Sequence, residues 1–147
     1  LDLYHNPANL FVAGFIGSPA MNFLGGKISG ISDQTIEFEL NNQQKIQIPC
    51  QPGEQAKAGS SAKAGVRPEH LELTGDSDAI LQGKVFAVER LGGETYLYVQ
   101  TEDYKELTVH SSGDKVISVD DLVSIGFSME NCHLFNGQGQ VFDKLAA

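Results

Sequence analysis

The feature that most constrains this chain is strict alternation of apolar and polar residues in short runs. From Thr35 to Leu40, Ile36, Phe38 and Leu40 fall on one side and Thr35, Glu37 and Glu39 on the other, the period of a half-buried strand. After the polar stretch Asn41-Asn42-Gln43-Gln44, Ile46 and Ile48 resume the pattern, so the two runs read as a hairpin. Lys27–Ile31 and Leu71–Leu73 are short strand candidates, and Pro68 is expected to end another strand near Arg67. Ile80–Leu91 is a long one, with a bend expected at Gly83. Gly92-Gly93 then signals a hairpin. Thr95, Leu97 and Val99 share one face of the next strand, with Tyr96 and Tyr98 on the other. Leu107 and Val109, then Val123, Ile125 and Phe127, mark two more. Asn136-Gly137 between Leu134-Phe135 and Val141-Phe142 is a further hairpin signal. Eight to ten short strands separated by turn signals predict a mostly β protein, an antiparallel sandwich or barrel. Residues 51–64 are small and polar and read as a surface loop.

The exception to this pattern lies at the start. Asn6 can cap a helix and Pro7 fits its first position. Gly17 and Pro19 end it. Leu10, Phe11, Ala13, Phe15 and Ile16 are apolar around nearly the whole circumference. A helix this short is unstable alone and needs a surface to bury it. The opening, Leu1-Asp2-Leu3-Tyr4, has no initiator Met, and the chain is expected to be a piece of a longer protein.

Composition and motifs exclude several kinds of chemistry. The 147 residues carry a formal net charge of -9, which disfavours nucleic acid and anionic membranes as partners. Tyr96 and Tyr98 would suit base stacking, but Glu89, Glu94, Glu102, Asp103 and Glu106 surround them in sequence. Cys50 and Cys132 are two and far apart, so free thiols are expected rather than a disulfide framework. His5, His70, His110 and His133 are scattered, and no metal site is expected. Glu69-His70 imitates an acid–base pair, yet adjacent residues rarely face one another. In Gly25-Gly26-Lys27-Ile28, Ile28 stands where a phosphate loop needs Ser or Thr for magnesium. Arg67, stiffened by Pro68 and followed by Glu69, reads as a structural clamp or as the shaper of an interface.

Four stretches, FVAGFIGSPAMNFL (11–24), AGVRPEHLEL (64–73), VERLGGETYLYVQ (88–100) and CHLFNGQGQ (132–140), resemble in the same order the C-terminal part of ATPase subunits of carbohydrate ABC importers, particularly those for maltose/maltodextrin and glycerol phosphate. The resemblance implies an OB-like antiparallel barrel, a TOBE-type regulatory domain, with one short N-terminal helix. Residues 1–23 would be a helix and connector from an ATPase domain, and residues 24–147 the regulatory domain. It implies a non-enzymatic module of an ATP-hydrolysing transporter subunit, with ATP and magnesium held by the preceding ATPase domain and no cofactor in this stretch. The implied partners are a second copy of the subunit, its own ATPase domain, through that domain a membrane permease, and in some members a sugar-phosphotransferase protein. The implied location is the cytoplasmic face of the inner membrane. The family pattern places Gly59, Gly65, Gly83 and Glu89 at positions of inhibitory contact. The plainer reading is that the glycines serve turns and strand bends and that Glu89 is a solvated charge. Two alternatives remain open: an oxyanion sensor using Gly59-Ser60-Ser61 and Lys63, and an OB-type nucleic-acid binder.

Overall fold

The computed structural model describes residues 20–112 and 116–145. Among them are ten strands, arranged in two curled, OB-like antiparallel sheets. They are β1 (Asn22–Ser32), β2 (Thr35–Leu40), β3 (Lys45–Pro49), β4 (Ser61–Val66), β5 (Glu72–Leu73), β6 (Ala79–Leu91), β7 (Glu94–Thr101), β8 (Leu107–Ser111), β9 (Leu122–Phe127) and β10 (His133–Phe135). The chain clusters into two compact units. Among the described residues, one combines 20–66 with 129–145, and the other lies within 67–128.

The first unit has strand order β10-β4-β1-β2-β3. Its core follows from the alternation: Ile36, Phe38, Leu40, Ile46 and Ile48 are buried, with Leu24 and Ile28 of β1 and Phe135 of β10. The second has the order β5-β9-β6-β7-β8, with Leu81, Val85, Leu97, Val99, Leu107, Val109, Ile125 and Phe127 buried.

The two sheets share one plan. Each is built on a long, bulged first strand that pairs on both sides. The bulge falls at Ser29 in β1 and at Phe86 in β6, where an extra residue interrupts the ladder and coils the strand. A glycine precedes each bulge at the same spacing, and both stand where another backbone comes close. A Cβ on Gly26 would run into the Glu39 carbonyl, and one on Gly83 would meet the Gln100 carbonyl at 2.9 Å. The fourth strand of each unit runs into a single 3-10 turn, Pro68–His70 after β4 and Met129–Asn131 after β9. The fifth strands are exchanged. β5 follows β4 in the chain but pairs with β9, whereas β10 follows β9 and pairs with β4.

Several expectations are revised. β1 begins at Asn22, inside the span expected to be connector. The expected loop at 51–64 contains a 3-10 turn at Gly53–Gln55 and most of β4. Ala62 and Ala64 are buried there, because alanine is small enough to fit a closely packed strand without giving a strong hydrophobic signal. The irregularity of β6 is the bulge at Phe86 rather than a bend at Gly83. Beyond β10, Phe135 and Val141 form an isolated antiparallel bridge across a turn from Asn136 to Gln140. The expected helix near residues 7–16 lies outside the described residues. Among those described, no helix is long and apolar enough to cross a membrane.

Candidate functional site

Position by position, the bulged strands of the two units differ in one informative way. In the first, Ser29 donates from its hydroxyl to the Glu37 carboxylate at 2.9 Å, and Gln47 donates to the same carboxylate at 2.7 Å. These bonds, Ser29's foremost, hold the Glu37 carboxyl below its ordinary value. In the second unit the bulge carries Phe86, and the strand opposite carries Tyr98, with ring centroids 6.4 Å apart. The same backbone geometry thus presents a polar network in one unit and an aromatic pair in the other.

Around that pair the outer face of β6–β7–β8 is aromatic and acidic. Tyr96 and Tyr98 point away from the core, as the alternation predicts. The Tyr98 hydroxyl donates to Glu89 at 3.1 Å. Partial desolvation raises the Tyr98 phenol above its ordinary value, and the hydrogen bond and charge of Glu89 and the charge of Glu106 add to it. Tyr96 is raised by desolvation and by the charges of Glu94 and Glu69. The His110 ring meets Tyr96 edge-on, with centroids 5.3 Å apart, and contacts Glu94 through Nε2. Phe86 is 45% exposed, a large apolar ring left at the surface among carboxylates.

The six residues singled out from the sequence fall into different environments. Glu69 and Glu89 both act on this face, one through Tyr96 and the other through Tyr98. Gly83 lies in β6, where a Cβ would run into Val99 and the Gln100 carbonyl. Arg67 is 1% exposed, the largest fully buried side chain among the described residues. Gly65 belongs to the first unit and is packed between Met21 and Phe135. Gly59, also in the first unit, has φ 86° in an open loop and donates its N–H to the Ile28 carbonyl at 2.7 Å. Phe86 and His110 were not singled out. A bulge cannot be read from composition, and His110 acquires its surroundings only through the β7–β8 register, which places it opposite Tyr96.

The first unit holds a polar cleft of about 410 Å³. It is lined by Glu54, Gln55, Lys57, Ser60, Ser61 and the 136–140 turn. The turn is locked by Asn136. Its Oδ1 accepts from the backbone N–H groups of Gln138 and Gln140, each at 2.9 Å, and its amide donates to Gln140 Oε1 at 3.1 Å and Gln55 Oε1 at 3.4 Å. Lys63, which the oxyanion reading enlists, is not among the lining residues. Cys50 and Cys132 are buried free thiols.

Paired OB-like units of this kind define a class, and the comparisons place the chain within it. Residues 17–71 match the MalK OB fold domain and residues 64–135 match the TOBE domain. The maltose/maltodextrin import ATP-binding proteins MalK of Yersinia pestis bv. Antiqua and of Salmonella typhi are each 39% identical to it over 99% of this chain. The chain spans 39% of the length of those relatives. The cytoplasmic molybdate-binding protein ModG, in a crystal structure with molybdate bound, aligns with a TM-score of 0.66 at 17% identity. That alignment covers 77% of this chain and 94% of ModG; at this identity the likeness is one of fold. The chain belongs to the family of TOBE and OB-fold regulatory domains of ABC importer ATPase subunits of the MalK type.

Proposed function

We propose that this chain is the regulatory and dimerisation module of the ATPase subunit of a carbohydrate ABC importer, with no catalytic chemistry of its own. The observation that carries the reading is the consecutive match of both family models, together with MalK relatives aligned over 99% of the chain. In the assembled importer, ATP and magnesium would be handled by the subunit's ATPase domain, and the permease would be reached through that domain. The subunit would work at the cytoplasmic face of the membrane. A second copy of the module would keep two ATPase domains tethered, so that their re-closure is intramolecular and occurs at high effective concentration.

The regulatory contact is assigned to the outer face of β6–β7–β8. Phe86, exposed, and Tyr98, half-buried beside it, supply an aromatic pair of the sort enriched where proteins meet. Glu69, Glu89 and Glu94 supply charge that orients a partner, for which a sugar-phosphotransferase regulatory protein is the candidate. Gly83 supports the face by close packing within the second unit; Arg67 is buried at the start of the Pro68–His70 turn, and Gly59 and Gly65 belong to the first unit.

Two measurements test this. Sedimentation of the chain should show a concentration-dependent monomer–dimer equilibrium; a strict monomer at high micromolar protein would overturn the dimerisation role. In the full importer, Glu89→Lys should leave the melting temperature unchanged, because exposed substitutions cost little, while weakening inhibition of transport by the partner. Unchanged inhibition removes Glu89 from the regulatory face.

A further inference from the structure

We infer that the polar cleft of the first unit is a binding site for a small, neutral, polyhydroxylated molecule, a mono- or disaccharide in size. This inference goes beyond the module's role proposed above and does not depend on it.

Size comes first. About 410 Å³ lies within the range of small-molecule pockets, roughly 300–1,000 Å³. Rigidity comes next. The Asn136 side chain is 7% exposed and spends both lone-pair directions and both N–H groups on bonds within the cleft wall. Across from it, Ser60 donates to the Lys57 carbonyl at 2.6 Å, which closes the loop bearing Gly59. The wall is therefore shaped before any ligand arrives, and little ordering cost remains for binding.

The chemistry of the wall selects the ligand class. Asn136 occupies Oε1 of both Gln55 and Gln140, which leaves their NH₂ groups as donors on the wall. Lys57 adds further donors. Glu54 and the Ser60 and Ser61 hydroxyls add acceptors. An oxyanion can only accept and would meet the Glu54 carboxylate; a cation can only donate and would meet the Lys57 ammonium. A hydroxyl does both. A molecule bearing several hydroxyls and no charge can use donors and acceptors together without opposing either ionised group. No aromatic side chain lines the cleft, so no ring stacks on the sugar face. The affinity expected from hydrogen bonds alone is on the order of 1 mM.

The test is a two-dimensional amide NMR titration of the chain, with maltose as the neutral probe and sulfate as the anionic one. Maltose should shift the backbone amides of Gln55, Ser60, Ser61, Gln138 and Gln140 saturably, and sulfate should leave them in place. Gln55→Ala should weaken maltose binding by about tenfold. If Gln55→Ala disturbs the fold, Glu54→Gln serves in its place and should weaken binding likewise. Shifts with sulfate at these amides, no saturable shift with maltose, or maltose binding unaffected by the variants would each overturn the assignment.

Discussion

Gly65 and Gly126 hold the same position in the two sheets. Each lies on the fourth strand of its unit, between the bulged first strand and the exchanged fifth. Gly65 pairs with Phe23 and His133, and Gly126 with Ile80 and Glu72. In both places a Cβ would enter occupied space, against Met21 and Phe135 at Gly65 and against Thr74 and Ser77 at Gly126. The flanking residues keep the correspondence, since Glu69 and Glu130 are the middle residues of the matching 3-10 turns and Leu73 and Leu134 follow in the fifth strands. Two copies of one β plan thus recur within the described residues.

Close backbone approach predicts which glycines are structural. Gly83→Ala should destabilise the chain by about 1–3 kcal/mol, because the obstruction includes the Gln100 carbonyl, which cannot rotate away. Gly59→Ala meets no neighbour, and only its φ of 86° opposes it, at a cost of about 1 kcal/mol. Thermal melts of the two variants check the order. A Gly59 variant less stable than the Gly83 variant would reverse the reading.

Arg67 is 1% exposed at the start of the turn between β4 and β5. Truncation to Ala removes a fully buried side chain and leaves a cavity in its place, with an expected loss of roughly 2–5 kcal/mol. Arg67→Lys should recover only part, since the planar fork is lost. Urea midpoints for the three proteins give the comparison, and an unchanged midpoint for Arg67→Ala would refute it.

Cys50 predicts a pH dependence. Burial pushes its thiol up to about 11, against a backbone hydrogen bond from the Ile36 region that lowers it. Below pH 9 both the folded and unfolded forms keep the proton, and the stabilisation is fully present. From pH 9 to about 11 the unfolded chain ionises while the folded one does not. The folded state then binds more protons, and stability falls as pH rises, by at most about 2–3 kcal/mol. Cys50→Ala should flatten this part of the stability–pH curve. A curve of unchanged slope would show that other groups control it.

Asn136 predicts a local effect. Asn136→Ala leaves the Gln138 and Gln140 N–H groups without their side-chain acceptor, costing about 1–3 kcal/mol. Hydrogen exchange should quicken first at these two amides. Protection retained at both would show that the turn closes without the Asn136 carbonyl.

Much of this was legible in the residues. The alternation of Ile36, Phe38 and Leu40 and the opposed faces of Leu97 and Tyr98 emerge as expected, because period-two burial is local. The end of β4 near Arg67 was legible from Pro68, but its start was not, since Ala62, Ala64 and Gly65 carry little hydrophobic signal and are buried by their neighbours' bulk. Nor was the doubling of the plan, because a bulge at Ser29 and one at Phe86 share geometry and no chemistry. The carboxylates of the candidate face could be seen in sequence; their arrangement around Tyr96 and Tyr98 depends on strand register, which single residues do not encode.

The exchange of fifth strands sets an order for synthesis. Residues 67–128 form one unbroken stretch, so that unit has all its strands as soon as β9 leaves the ribosome. The other has four strands early but must wait for His133–Phe135 to cover the free edge of β4. An uncovered strand edge is a template for wrong pairing. During translation, the earlier-made half of the molecule is therefore the later one to close, and a premature stop just after Ser128 would leave the defect in the half already made.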